Sequence, residues 1–139
     1  MKVIIFTIKG NQENPNGNPI PYLRTTQRSQ WTDKAKRYNA WKDYVRASYL
    51  DQVVMKMLTK DFVKLHDITK RKPIVKSKEK IHVKIEITFY NKAHADSDNI
   101  FKGIADALFM DDKYLSGEFD YKYGKSGKVK VAIIWTGKN

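Results

Sequence analysis

The stretch IHVKIEITFYNKAHADSDNIFKGIADALFMDD, residues 81–112, decides the fold. It opens with Ile81, Val83, Ile85, Ile87 and Phe89 alternating with His82, Lys84, Glu86, Thr88 and Tyr90. A period of two marks a strand with one buried face. Asn91 to Ala95 then turns the chain into a segment from Asn99 to about Leu108, where Ile100, Ile104 and Leu108 recur at helical spacing with Phe101 beside them. Asp98 or Asn99 is expected to cap that helix. Five aspartates, Asp96, Asp98, Asp106, Asp111 and Asp112, crowd into this stretch of an otherwise basic chain. If they converge they repel one another, and a hard divalent cation with oxygen ligands removes that repulsion.

Working outward, Val3 to Ile8 is apolar and β-branched and reads as a buried first strand. Gly10 to Pro21 is rich in Asn, Gly and Pro and reads as a loop. A long helix is predicted from Asp33, with Thr32 or Asp33 as its cap, to about Leu58. Tyr38, Trp41, Val45, Tyr49 and Val53 fall on one helical face, expected to be core, with Lys36, Arg37, Asp43, Arg46 and Asp51 on the opposite face. Lys60 to Lys80 reads as a polar, lysine-rich connection with a short turn of helix, Pro73 breaking any longer one. Downstream, Phe119, Tyr121 and Tyr123 alternate with Glu118, Asp120 and Lys122; Gly124 to Gly127 reads as a turn; Val129, Val131, Ile133 and Trp135 form a last strand. The order β, long α, β, α, β, β, closing on a hairpin, predicts an α+β fold. A mixed β-sheet carries the long helix and the short motif helix on one face, in a single domain over residues 1–139.

The net charge is +12, from 27 Lys+Arg against 15 Asp+Glu, which favours nucleic acid or another polyanion as partner over a merely soluble basic surface. Cysteine is absent, so disulfides and thiolate metal sites are excluded. His66, His82 and His94 lack the His-Glu-x-x-His spacing of a zinc protease. No stretch approaches membrane-spanning length and the short apolar run Val3–Phe6 does not make a signal peptide, so a cytoplasmic protein without membrane contact is expected. Arg24, Arg28, Lys34 and Arg37, interleaved with Tyr22 and Trp31, suit phosphate contact and base stacking. Lys70, Arg71 and Lys72 form a second basic run. A solvated loop and helix start with aromatic core anchors fits the same residues.

Asp96 and Asp98 point the same way in extended backbone and can share a cation at the strand-to-helix junction. Asp98, Lys102 and Asp106 follow at i, i+4 steps along one helical face. Asp111 and Asp112 come just after the helix, where a chain folding back would add a third carboxylate. Lys102 would then balance charge or meet that developing on a phosphate. A structural alternative uses the same residues: a cap at Asp98, surface ion pairs along Asp98, Lys102 and Asp106, and a turn at Asp111–Asp112. An EF-hand loop fails, because Phe101 stands where it needs Gly and Ala107 where it needs Glu.

The pattern Asp96-x-Asp98-Asn99-x-x-Lys102, then Asp106-Ala107-Leu108, then Asp111-Asp112 resembles the signature of the RusA family of Holliday junction resolvases. The order of strands, loop and helices is similar as well, least so over Tyr38 to Lys80. The resemblance implies a small dimeric, Mg²⁺-dependent endonuclease, with Mn²⁺ as a possible substitute, acting on branched, four-way DNA. It implies that Asp96, Asp98 and Asp112 are metal-binding catalytic carboxylates and Lys102 the catalytic lysine, with Asn99 and Asp106 structural. The chain departs from the family in its short Phe109-Met110 spacer, which leaves Asp111 open as the alternative to Asp112, and in His94-Ala95, where a basic stretch is common. The expected function is thus metal-dependent resolution of Holliday junctions by paired phosphodiester cleavage in recombination and repair. Its rivals are another structure-specific Mg²⁺ nuclease and a DNA-binding module without catalysis.

Overall fold

The computed structural model describes residues 2–54, 75 and 79–138. It contains β1 (Lys2–Lys9), α1 (Asp33–Tyr49), which runs into a π-helical turn at Leu50–Val54, then β2 (Glu79–Phe89), α2 (Ser97–Leu108), β3 (Leu115–Tyr123) and β4 (Lys128–Lys138). The strands form one mixed sheet in the order β1-β4-β2-β3, with β2 and β3 parallel and the other pairs antiparallel. Among the described residues no helix is long and apolar enough to cross a membrane.

The period-two reading holds in β2 and β4, whereas β1, read as a buried strand, buries only the face carrying Ile4, Phe6 and Ile8 and leaves Val3 and Ile5 exposed. Ile4, Phe6 and Ile8 lie opposite Ile133, Val131 and Val129, which lie opposite Val83, Ile85 and Ile87, and all are buried on one side of the sheet. α1 packs on that side with Tyr38, Trp41, Val45, Tyr49 and Val53 all buried, the stripe its spacing predicts. Phe6 meets Tyr49 edge-on at 5.2 Å, a contact worth about 1 kcal/mol beyond its buried area. α2 packs beside α1 and over β3, presenting Ile100, Ile104 and Leu108 to the core. Thr32 is the α1 cap, its hydroxyl accepting from the Ala35 amide at 3.2 Å.

Four expectations change. The closing hairpin does not form: β3 pairs with β2 alone, and β2 lies between it and β4. The Gly124–Gly127 link spans the end of β2, donating the Gly124 amide to the Phe89 carbonyl at 3.0 Å. Arg46 is buried rather than solvated, because its guanidinium reaches the Ala107 carbonyl at 3.2 Å and Asp43 at 2.8 Å and so ties α1 to the end of α2. α2 begins at Ser97, with Asp96 in the cap position instead of Asp98 or Asn99. The α-helix of α1 stops at Tyr49 and the π-helical turn carries on to Val54; its predicted extension toward Leu58 and most of the Lys60–Lys80 connection lie outside the described residues.

Candidate active site

The amino end of α2 is approached from buried Phe89. His94 lies flat on the Phe89 ring, 3.6 Å between centroids and 6° between planes. Its Nδ1 donates to the Ala95 carbonyl at 2.8 Å, and its Nε2 hydrogen-bonds with the Tyr123 hydroxyl at 2.9 Å. Three anchors thus hold the backbone immediately ahead of Asp96. The Asp96 carbonyl accepts from the Asn99 and Ile100 amides at 3.1 and 3.2 Å, yet its carboxylate makes no capping bond and stands exposed. Asp98 follows in the first turn, 3.7 Å from Lys102 Nζ, with both side chains about half in solvent. Such an exposed i, i+4 pair holds by a few tenths of a kcal/mol. Both ends of it are free to exchange partners.

The loop predicted over Gly10–Pro21 is a built bracket beside this end. Position 10 requires glycine, because its φ of 55° disfavours an L side chain and a Cβ there would strike the Asn14 carbonyl. Buried Asn11 accepts from the Glu13 and Asn14 amides at 2.9 Å each and donates to the Asn18 carbonyl at 2.7 Å. Asn18 in turn donates to Asn91 at 2.9 Å and to the Ala93 carbonyl at 3.2 Å, and accepts from the Tyr90 amide at 2.8 Å. The loop is thereby fastened to the turn leading into Asp96. A polar cleft of about 690 Å³ opens there, with Arg37, Tyr90, Lys92 and His94 among its walls.

The carboxyl end of α2 carries the other aspartates. Asp106 accepts from the Tyr38 hydroxyl at 2.7 Å and pairs with Lys42 at 3.3 Å, while Lys42 sits 4.8 Å above the Tyr38 ring. Burial, and then the Asp106 hydrogen bond and charge, push the Tyr38 hydroxyl far above its ordinary range, so it stays a donor. Asp111 closes a turn by accepting from the Lys113 amide at 2.9 Å. The Asp112 carboxylate is exposed and takes no hydrogen bond among the described residues. A second cleft of about 690 Å³ is lined here by Tyr22, Lys102, Asp106, Asp111 and Asp112.

The structure brings Asp98 and Lys102 together, as their spacing predicts. It does not bring Asp112 to Asp96 and Asp98. A twelve-residue helix separates them, about 18 Å long. Among the described residues no three Asp, Glu, His or Cys side chains gather closely enough to hold a metal. The predicted fold-back fails because β3 runs parallel to β2, so the chain past α2 must start at the far end of the sheet from Asp96. Asp106 serves as an anchor between helices, and Asn99 accepts the Tyr22 amide at its carbonyl, 2.9 Å away. Arg24, Arg28 and Lys34 are exposed. Arg37 is exposed too, but pairs with Glu13 at 2.8 Å. Lys70, Arg71 and Lys72 lie outside the described residues. Sequence reasoning missed Asn11, Asn18 and the seat of His94; the only local signal was an asparagine-rich loop, and the partners of those residues are distant in sequence.

A comparison with curated proteins returns no match. The family profile described as Endodeoxyribonuclease RusA matches residues 13–134, which include the polar loop from Glu13 onward, both helices and all five aspartates of the motif. With that match over most of its 139 residues, and with the strand-to-helix motif built as described, the chain belongs to the RusA family of Holliday junction endodeoxyribonucleases.

Proposed function

We propose that this protein, as one nuclease domain in the cytoplasm, resolves four-way DNA junctions by paired phosphodiester cleavage, as a homodimer using Mg²⁺, with Mn²⁺ able to substitute. The observation that carries this reading is Asp96: it occupies a helix cap without capping, so its carboxylate is left for a ligand. The donor set fits the ion. Mg²⁺ is commonly held by one or two carboxylates, with water and substrate phosphate oxygens completing its shell, and Asp96 and Asp98 supply the carboxylates. When bound there, the ion supplies an activated water and stabilises charge on the phosphate.

The remaining roles fall to this chain's own side chains. Lys102 exchanges its weak pairing with Asp98 for the phosphate being cut. His94 holds the backbone before Asp96 against Phe89 and Tyr123, which limits how far the carboxylate wanders. Arg24, Arg28, Lys34 and Arg37, together with Lys70, Arg71 and Lys72, contact backbone phosphates. Two symmetric cuts call for two sites related by a two-fold axis. The same symmetry answers the separation of Asp112 from Asp96 and Asp98: a second copy laid antiparallel sets its Asp112 beside the first copy's amino end of α2.

The test is cleavage of labelled synthetic junctions with and without Mg²⁺, set beside their component duplexes and a flap. Paired cuts only in the junction, and only with the ion, are expected. Equal cutting of duplex or flap would favour another structure-specific nuclease. Binding without cuts across Mg²⁺ and Mn²⁺ would favour a non-catalytic DNA-binding module. With six to ten phosphate contacts, affinity should fall by roughly 10³–10⁵ between 50 and 200 mM salt.

A further inference from the structure

The aromatic residues just ahead of α1 divide in the fold. Tyr22 is an anchor: its amide donates to the Asn99 carbonyl at 2.9 Å in the first turn of α2, and its ring meets buried Tyr38 edge-on at 5.6 Å. Trp31 is not. It is 73% exposed, whereas the other two tryptophans, Trp41 and Trp135, are 0% and 3% exposed. Among the described residues no ring packs on Trp31 and no group bonds its indole nitrogen. Helix capping does not account for it either. An apolar residue ahead of a cap usually packs on the fourth residue of the helix. With Thr32 as the cap, that residue is Lys36, itself exposed.

The ring is nonetheless held out on a stiff support. The Thr26 amide donates to the Ser29 hydroxyl at 2.8 Å, and the Ser29 amide donates to the Thr26 hydroxyl at 3.2 Å. The Thr32 amide and hydroxyl both donate to the Ser29 carbonyl, at 3.1 and 2.8 Å. Trp31 stands between this knuckle and the first turn of α1, and a group fixed before binding loses little freedom on contact. Cations surround it: Arg28, Lys34 and Lys36 are exposed and make no ion pair among the described residues. Arg37, about 9 Å further along the helix, lines the cleft with Lys92 and His94 just ahead of Asp96.

We propose that Trp31 stacks on a base laid open at the branch point of the junction, with Arg28, Lys34 and Lys36 on the flanking phosphates, and that this contact separates a four-way junction from plain duplex; this rests on the junction-nuclease reading above and names a substrate contact for it. An indole reads little of a base edge but offers a flat face, and base–aromatic stacking tolerates any sequence. Inside a duplex the faces of every base are covered by neighbours. At a branch point the stack is interrupted where strands exchange, and faces lie open. A flat ring among cations supplies both halves of such a contact, stacking and phosphate neutralisation.

Trp31 reports on its own role, because it alone of the three tryptophans faces solvent. Acrylamide should quench part of the emission of the parent and very little of that of Trp31→Phe. In a chelating buffer, where no metal-dependent cutting proceeds, a synthetic four-way junction should dim that emission and shield it from acrylamide, and a duplex of the same arm sequence should not. Trp31→Ala should weaken junction binding roughly five- to a hundredfold, the worth of one stacked base, and duplex binding by no more than about twofold. The ring is exposed, so Tm should not move, and Trp31→Tyr should recover much of the affinity. Equal dimming by duplex, parent-like junction affinity in Trp31→Ala, or a loss shared equally by duplex would each overturn the contact. So would emission that shifts with protein concentration before DNA is added, which would place a second copy on the ring. The nuclease reading is judged apart, by cutting with Mg²⁺ and Mn²⁺. A protein that cuts junctions while Trp31→Ala binds them as the parent does keeps the activity and loses the contact. Junction-specific dimming in a protein that cuts nothing keeps the contact and loses the activity.

Discussion

At the amino end of α2, Asp96 and Asp98 face solvent with only a weak pairing to Lys102, whereas at the carboxyl end Asp106 is gripped by Tyr38 and Lys42. One short helix thus carries the same residue type in two settings. The difference lies in what is packed opposite. α1 passes the carboxyl end with a buried tyrosine whose hydroxyl needs a partner, and Asp106 supplies it. Near the amino end stand a stacked histidine and an asparagine bracket, which hold the backbone, and among the described residues the Asp96 carboxylate takes no hydrogen bond. Acidity alone therefore does not sort these aspartates; engagement in structural hydrogen bonds separates Asp106 from the pair at the amino end.

The largest effect is expected at the amino end of α2. Asp98→Asn keeps size and fold but removes the charge a divalent ion needs. Cleavage should fall at least about a hundredfold, more than loss of an outer partner of a metal ligand usually costs, with junction affinity and Tm retained. Asp96→Asn should match it. Folded Asp98→Asn protein cutting at close to the parent rate would remove the catalytic assignment.

The two neighbours past α2 sharpen it next. Asp111 is engaged by the Lys113 amide, and the Asp112 carboxylate takes no hydrogen bond among the described residues, so Asp112→Asn should lose cleavage as Asp98→Asn does. Asp111→Asn, whose amide oxygen still accepts in the turn, should stay within about tenfold of the parent. Rates reversed between the two variants would transfer the ligand role to Asp111.

Asp106 should behave in the opposite way. Asp106→Ala leaves the buried Tyr38 hydroxyl without its acceptor, at about 1–3 kcal/mol, read as a Tm lower by several degrees. Cleavage by the remaining folded protein at low temperature should stay near the parent. An unchanged Tm with cleavage abolished would place Asp106 with the chemistry instead.

The smallest effect lies in alkaline stability. Burial raises the Tyr49 hydroxyl, and burial followed by the Asp106 hydrogen bond raises Tyr38, both from an ordinary 10.0. A group raised in the fold contributes stability that is present below its unfolded value and is lost as pH rises toward its folded value. Chemical denaturation should therefore show stability declining above pH 10, and Tyr38→Phe should decline less steeply than the parent. Parallel curves for the two would show that Tyr38 does not contribute.

By itself the sequence determined the strands, the helices and nearly every core face, because these follow from local period: Ile81 to Phe89 alternate, and Tyr38 to Val53 repeat at helical steps. It also determined the motif residues and the meeting of Asp98 with Lys102, since both belong to one helix. Tertiary structure decided what depends on contacts distant in sequence. Strand order set β3 beside β2 rather than β4, and so carried Asp112 away from Asp96. The carbonyl of Ala107, 61 residues on, drew Arg46 out of solvent. Glu13 engaged Arg37, and Tyr38 engaged Asp106, across gaps no local pattern spans. A helix or strand period reports which face of an element is apolar; which partner meets that face is decided by packing among segments that the period does not relate.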